Sequence, residues 1–248
     1  MMTYAFDIPG YVQGHRFLDD PLYYDAATQR FKDLAGYDHL GNGLTITTGA
    51  PVFETVGSNR GLRLNNTFHG KFKCPIPWMG SMVLVVKPMY ISGGTLVKYP
   101  LIFGDSTPIS NNGQFQLLHF SGERRVSLVT GSAQLAALQS RNDNNTVVLV
   151  LATDQQTRKS YSTSDAVTVT EVAGPASTNN GNAISMNSSA GGSVRFGNMS
   201  GVAGDVVEAT DLYCHMYEQH FFDGNILTGS LVKTKEFVDR LKAQYAVV

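Results

Sequence analysis

Apolar and polar residues alternate along much of the chain, and at two places the apolar run is unbroken. In HGKFKCPIPW, Phe72, Cys74 and Ile76 alternate with Lys71, Lys73 and Pro75. Period two sends the first set to a core and the second to solvent, and the prolines mark a strand end or a sheet edge. In SMVLVVK (81–87) and TVVLVLAT (146–153) the run is continuous, which places both segments mid-sheet with both faces covered. Clusters of Gly, Asn, Asp and Pro cut the rest into short extended segments. These fall at 22–25, 44–48, 61–64, 70–76, 101–103, 114–120, 125–129, 159–164, 166–172, 193–196 and 205–217. Many short strands between turn signals predict a sandwich.

One segment has helical period. Leu231, Thr234, Phe237, Val238, Leu241 and Tyr245 recur at three- and four-residue intervals with charged residues between them, an apolar stripe that should dock on the sandwich. Ala133 to Gln139 could add one helical turn. Residues 174–192 are small, polar and Gly-rich and predict a long surface loop. Residues 1–20 carry Pro9, Gly10 and Gly14 and read as an extended N-terminal arm, outside the core and available to another subunit. Residues 21–248 then form the sandwich domain with its terminal helix.

Composition narrows the partners. With 42% hydrophobic and 16% charged residues over 248 positions, the chain can fold around a full core. A formal charge of −1 provides no basic excess to neutralise phosphates, so nucleic acid is not an expected partner. No run approaches the roughly 18 apolar residues that span a bilayer, so no membrane insertion is expected. The N-terminus lacks a cationic start followed by an apolar stretch, which predicts synthesis in a host cytoplasm without a signal peptide. Cys74 and Cys214, the two cysteines, sit at inward positions of predicted strands and read as buried free thiols, with a disulfide open only if the two strands are neighbours.

The segments taken together resemble the laminin-G-like, concanavalin-like jelly-roll superfamily. YYDAATQRFKDLAGYDHLGNGLTITTGAPVF looks like its opening and GLRLNN like the core strand that follows. SMVLVVK and TVVLVLATD look like its two long central strands. SVRFG, GDVVEATDLYCHMYE and the terminal helix look like its ending, so the resemblance covers roughly residues 22–246. It implies an all-β jelly-roll sandwich with one C-terminal amphipathic helix. The superfamily contains lectins, receptor modules, glycosidases, polysaccharide lyases and phage tail and capsid-surface domains, so the fold leaves function open.

No catalytic set stands out. Retaining jelly-roll glucanases carry paired carboxylates on one strand; here Glu208 and Asp211 are three apart, on opposite faces of a strand, and the other Glu residues are isolated. The lyases resemble one another in an Arg-x-Glu-x-Arg strand that is missing here, although His119 or His215 with Tyr213 could in principle abstract a proton. His215 and His220 are five apart, a spacing that suits neither a helix face nor a strand face. Asp105 and Asn111 in one loop and Asp143 in another supply oxygens of the kind calcium takes, although turn chemistry explains the same residues. Trp78, the sole tryptophan, stacks on a sugar ring if it is exposed at its strand end and fills the core if it is buried; with Tyr90 and Tyr99 it is the aromatic candidate for a glycan.

The resulting expectation is a non-catalytic structural or interaction protein. It would be a capsid-decorating or tail component on a phage virion surface that assembles with itself or other virion proteins through residues 1–20 and touches glycans. No cofactor is required, with Ca²⁺ the one candidate. The alternatives are a free carbohydrate-binding lectin and a polysaccharide lyase or glycosidase.

Overall fold

A computed structural model describes residues 4–35, 43–64, 69–72, 78–90, 100–104, 114–120, 123–130, 133–141, 145–154, 159–164, 167–171, 184–185, 194–198 and 212–247. After a 3-10 turn at Ala5–Asp7, the strands in chain order are β1 (Tyr11–Arg16), β2 (Tyr24–Asp25), β3 (Arg30–Phe31), β4 (Leu44–Thr48), β5 (Val52–Val56) and β6 (Asn59–Leu64). Next come β7 (His69–Phe72), β8 (Trp78–Met79), β9 (Ser81–Tyr90), β10 (Pro100–Gly104), β11 (Gln114–Phe120), β12 (Glu123–Thr130) and β13 (Ala133–Arg141). The last are β14 (Val147–Asp154), β15 (Lys159–Thr163), β16 (Thr170–Glu171), β17 (Ile184–Ser185), β18 (Val194–Asn198) and β19 (Leu212–Phe222). Two helices, α1 (Ile226–Gly229) and α2 (Leu231–Gln244), close the chain.

The strands form two large antiparallel sheets, as expected for a β-sandwich. An eight-stranded sheet runs β16-β15-β14-β9-β19-β6-β5, with β1 also on β19, and a nine-stranded sheet runs β13-β12-β11-β10-β18-β7-β4-β3-β2. The sheets meet where β11 approaches β19 and β12 approaches β9. Strand β19 organises the first sheet. One edge pairs with β9 along its length; the other pairs with β6 through Cys214 to Met216 and with β1 through Glu218 to Phe222.

A bulge in β19 decides which side chains go where. Its pairing with β9 shifts between Met216, opposite Val86, and Glu218, opposite Val85. The extra residue puts Tyr217 and Glu218 on the same face, where strict alternation would part them. Val83, Val85, Val148, Val150, Tyr217 and Phe222 lie on that face and pack against Phe237, Val238, Leu241 and Tyr245 of the C-terminal segment. Met82, Leu84, Val86, Leu149, Leu151, Met216 and Phe221 are buried on the opposite side of their strands, toward the other sheet. The continuous apolar runs of β9 and β14 thus reflect one sheet buried on both faces. Phe17, Tyr24, Phe31 and Phe53 add an aromatic cluster with ring centroids 4.8–5.9 Å apart, which joins β2 and β3 to β5.

The start of β9 is tied to the helices by one hydroxyl. Ser81 Oγ donates to the Gly224 carbonyl at 2.7 Å and accepts from Ile226 N at 3.1 Å. Asn225 caps α1 by accepting from Leu227 N at 2.9 Å, and Thr234 Oγ1 of α2 donates to the Ile226 carbonyl at 3.1 Å.

Several expectations change. Within the segment expected to be an extended arm outside the core, β1 pairs with β19 over Tyr11–Arg16, and Ala5, Ile8, Gln13, His15 and Phe17 are buried. The polar residues of β1 hid it: Gln13 and His15 are buried in the sheet, with His15 Nδ1 3.0 Å from Gln219 Nε2. Residues 133–139 belong to β13, paired with β12, since cross-strand pairing overrides the helical propensity of Ala and Leu. Strand β17 lies inside the segment expected to be loop. Leu231, expected on the buried stripe, is 41% exposed at the first turn of α2. The calls on Glu208, Asp211 and Cys74 lie outside the described residues, while Cys214 is buried with its thiol pKa pushed up by desolvation.

Gly80 approaches the Gly224 backbone so closely that an added Cβ would run into it, whereas Gly229 has open space. We expect Gly80→Ala to cost about 2–3 kcal/mol and Gly229→Ala to be near neutral, within about 1 kcal/mol. Denaturant midpoints measure both. Equal midpoints for the two variants would contradict this packing.

Candidate functional site

The densest polar chemistry among the described residues surrounds Glu218. This carboxylate is 4% exposed. Oε1 accepts from the Tyr245 hydroxyl at 2.6 Å and from Gln244 Nε2 at 3.0 Å; Oε2 lies 3.0 Å from His220 Nε2. Arg16 Nε completes an ion pair at 3.3 Å and is the half-buried member. The carboxylate accepts, so His220 carries a proton on Nε2. Burial alone would raise the Glu218 pKa; the donors from His220 and Tyr245 and the Arg16 charge reverse this and hold it at about 2. The Tyr245 hydroxyl shifts upward, through burial and the adjacent carboxylate.

The neighbouring strand is shaped to this cluster. Gly14 lies opposite His220, and a Cβ there would meet Tyr11 Oη and come within 2.8 Å of His220 Nδ1. Its N–H donates to Asp33 Oδ1 at 3.1 Å. Burial, with Asp33 and Glu218 nearby, pushes the Tyr11 pKa upward. Arg16 also donates to the Tyr23 hydroxyl at 2.9 Å and lies over that ring at 4.8 Å. On the sandwich interior, Gln219 Nε2 lies 3.0 Å from His15 Nδ1. These groups hold β1, β19 and α2 together.

A second cluster sits nearer solvent. His215 Nε2 is 2.8 Å from Glu54 Oε2, and Arg63 donates to Glu54 Oε1 at 2.9 Å. Burial lowers the His215 pKa against the opposing pull of Glu54. The Glu54 pKa is lowered because the donors from His215 and Arg63 outweigh its desolvation. The bulge also resolves the odd spacing of His215 and His220: through their partners Lys87 and Val83 on β9, both fall on one face of the sheet.

The structure separates the aromatic residues expected to bind glycan. Trp78 is in β8, opposite Ser185, just before β9 begins, and Tyr90 ends β9 opposite Leu212. About 30 Å of strand lies between them. Tyr99, Asp105, Asn111 and Asp143 lie outside the described residues. His119 is in β11 and Tyr213 in β19, strands of different sheets. Among the described residues, no three His, Cys, Asp or Glu side chains are grouped to hold a metal ion, and no helix is long and apolar enough to cross a membrane. Sequence reasoning missed Glu218 as a centre, because only the bulge places it beside Tyr217 under the helix.

No protein-family model and no curated protein sequence matches the chain. Solved structures do match its fold. Domain 4 of AbnA, a GH43 extracellular arabinanase from Geobacillus stearothermophilus in complex with arabinotriose, aligns at TM-score 0.55 and 10% identity over 93% of this chain and 98% of that domain. The binding domain of botulinum neurotoxin serotype D/C aligns at 0.54 and 8% over 94% of this chain and 52% of that one. A GH54 α-L-arabinofuranosidase soaked with a cyclic sulfate inhibitor aligns at 0.55 and 12% over 98% and 60%. The chain therefore spans about half of the toxin domain and most of the arabinanase domain. At these identities the matches establish the class, a two-sheet β-sandwich.

The Glu218 cluster predicts an acid limb in stability. The carboxyl pKa falls from 4.5 to about 2 on folding, a contribution of roughly 3 kcal/mol. Because the folded value is the lower one, this contribution is complete above about pH 4.5 and is lost as pH falls toward about 2. Urea midpoints from pH 7 to pH 2 should show a decline that Glu218→Gln flattens. A variant with the same slope as the wild type would rule out Glu218 as its source.

Proposed function

We propose that this chain is a carbohydrate-binding β-sandwich module with no catalytic centre of its own. One observation carries the reading: the near end-to-end fold match to an arabinanase domain solved with arabinotriose. The toxin neighbours support it, since one botulinum neurotoxin type C structure is described in terms of interaction with two ganglioside molecules. The step from fold to ligand is by analogy. The polar groups of the described region serve the same reading, because the buried carboxylate Glu218 is consumed by structural partners. The virion-surface expectation finds no support in these neighbours and is not part of the proposal.

The test is calorimetric titration of the full chain with arabinotriose and with ganglioside oligosaccharides, preceded by a glycan array. We expect a Kd between roughly 1 µM and 1 mM for at least one glycan. Repeating the titration with a chelator tests the calcium expected at Asp105, Asn111 and Asp143; a chelator-dependent loss would assign it. No binding across the array at millimolar glycan would overturn the module reading. Release of new reducing ends or unsaturated products from polysaccharide would overturn its non-catalytic part.

A further inference from the structure

We propose that Phe6 and Tyr4 form the platform on which a sugar ring lies through its C–H face, with Arg240 of α2 as the backing; this deepens and rests on the module reading above. The two rings stack with centroids 5.2 Å apart and planes 6° from parallel. Phe6 is 66% and Tyr4 42% exposed. Single exposed aromatics are ordinary on a protein surface. A parallel pair held by a braced turn is a built surface.

The bracing can be traced inward. Asp7 N donates to the Tyr4 carbonyl at 3.0 Å while Tyr4 N donates to Asp7 Oδ2 at 2.7 Å, so the turn is closed by a reciprocal pair. Lys233 Nζ donates to the Asp7 carbonyl at 2.9 Å, which fastens the turn to α2. The Arg240 guanidinium lies 5.0 Å from the Tyr4 ring centre and 5.0 Å from that of buried Phe237. Its Nη1 donates to Gln244 Oε1 at 3.2 Å, and Gln244 Nε2 donates in turn to Glu218 at 3.0 Å. A line of contacts therefore runs from the buried carboxylate to the exposed Phe6 ring, and little ordering is left to do when a ligand arrives.

The occupant follows from the shape and chemistry of the column. Tyr4 stacks on Phe6, and the large exposure of Phe6 leaves ring surface open. An exposed flat aromatic face, carried on a turn whose Asp7 carbonyl is tied to Lys233, matches a ring whose C–H groups lie on one face and whose hydroxyls point to the edge. Aromatic stacking supplies the affinity.

The experiment titrates the wild-type chain, Phe6→Ala, Phe6→Trp and Trp78→Ala with arabinotriose and with immobilised ganglioside, and compares melting temperatures. Phe6 is exposed, so Phe6→Ala should melt like the wild type. We expect Phe6→Ala to weaken binding about tenfold or more. Phe6→Trp should bind at least as well as the wild type and show a fluorescence change on adding sugar. Phe6→Ala affinity within threefold of wild type would overturn the platform while leaving the module reading intact, as would loss of binding in Trp78→Ala alone. Self-association abolished by Phe6→Ala, with sugar affinity unchanged, would reassign the rings to contact between copies. No binding by the wild-type chain to either probe overturns the platform for these sugars, and no binding to any glycan of the array overturns both readings.

Discussion

A buried carboxylate is costly unless every oxygen is answered, and Glu218 is the point on which this terminus of the sandwich turns. Four groups from different parts of the chain converge on it: Arg16 from β1, His220 from β19 itself, Gln244 from the end of α2 and Tyr245 just beyond. None of these partners is local enough to be satisfied before the strands and helix are assembled, apart from His220. The carboxylate thus acts as a geometric condition: the three elements must be in register together, or a charge is left buried without partners.

The bulge makes that condition possible. Regular alternation would send Glu218 to the sandwich interior, among Met82, Leu84 and Phe221. One extra residue at Tyr217 turns it outward beneath the helix, and Tyr217 follows to stack on Tyr245 at 5.1 Å. The apolar contacts of Phe237, Val238 and Leu241 with Val83, Val85 and Val148 hold α2 down, as burial does for any amphipathic helix. What the polar cluster adds is rotation and register. The same line of contacts continues outward through Gln244 and Arg240 to the exposed rings of Tyr4 and Phe6. Core architecture and proposed binding surface are one construction.

Much of this fold is legible from hydrophobic rhythm. The unbroken runs of β9 and β14 lie in a sheet covered on both sides, and Thr234, Phe237, Val238, Leu241 and Tyr245 are all buried at helical spacing. Strand β1 was not legible, because YVQGHR carries buried polar residues whose partners lie some two hundred positions away, as in the contact of His15 with Gln219. The face of Glu218 was not legible either, since a bulge is a property of pairing and leaves no mark on a single strand. Trp78 and Tyr90 are close in sequence, yet Trp78 lies in β8, just before β9, and Tyr90 at the far end of β9. The platform residues Tyr4 and Phe6 were hidden by the reading of the N-terminus as an arm.

Native-state hydrogen exchange, comparing the wild type with Glu218→Gln at neutral pH, tests the central claim most directly. If Glu218 joins the three elements, amide protection should fall together in β1, in the second half of β19 and in α2, while β14 keeps wild-type protection. Loss confined to α2, or no loss at all, would contradict the claim and leave apolar packing as the sole link between the helix and the sheet.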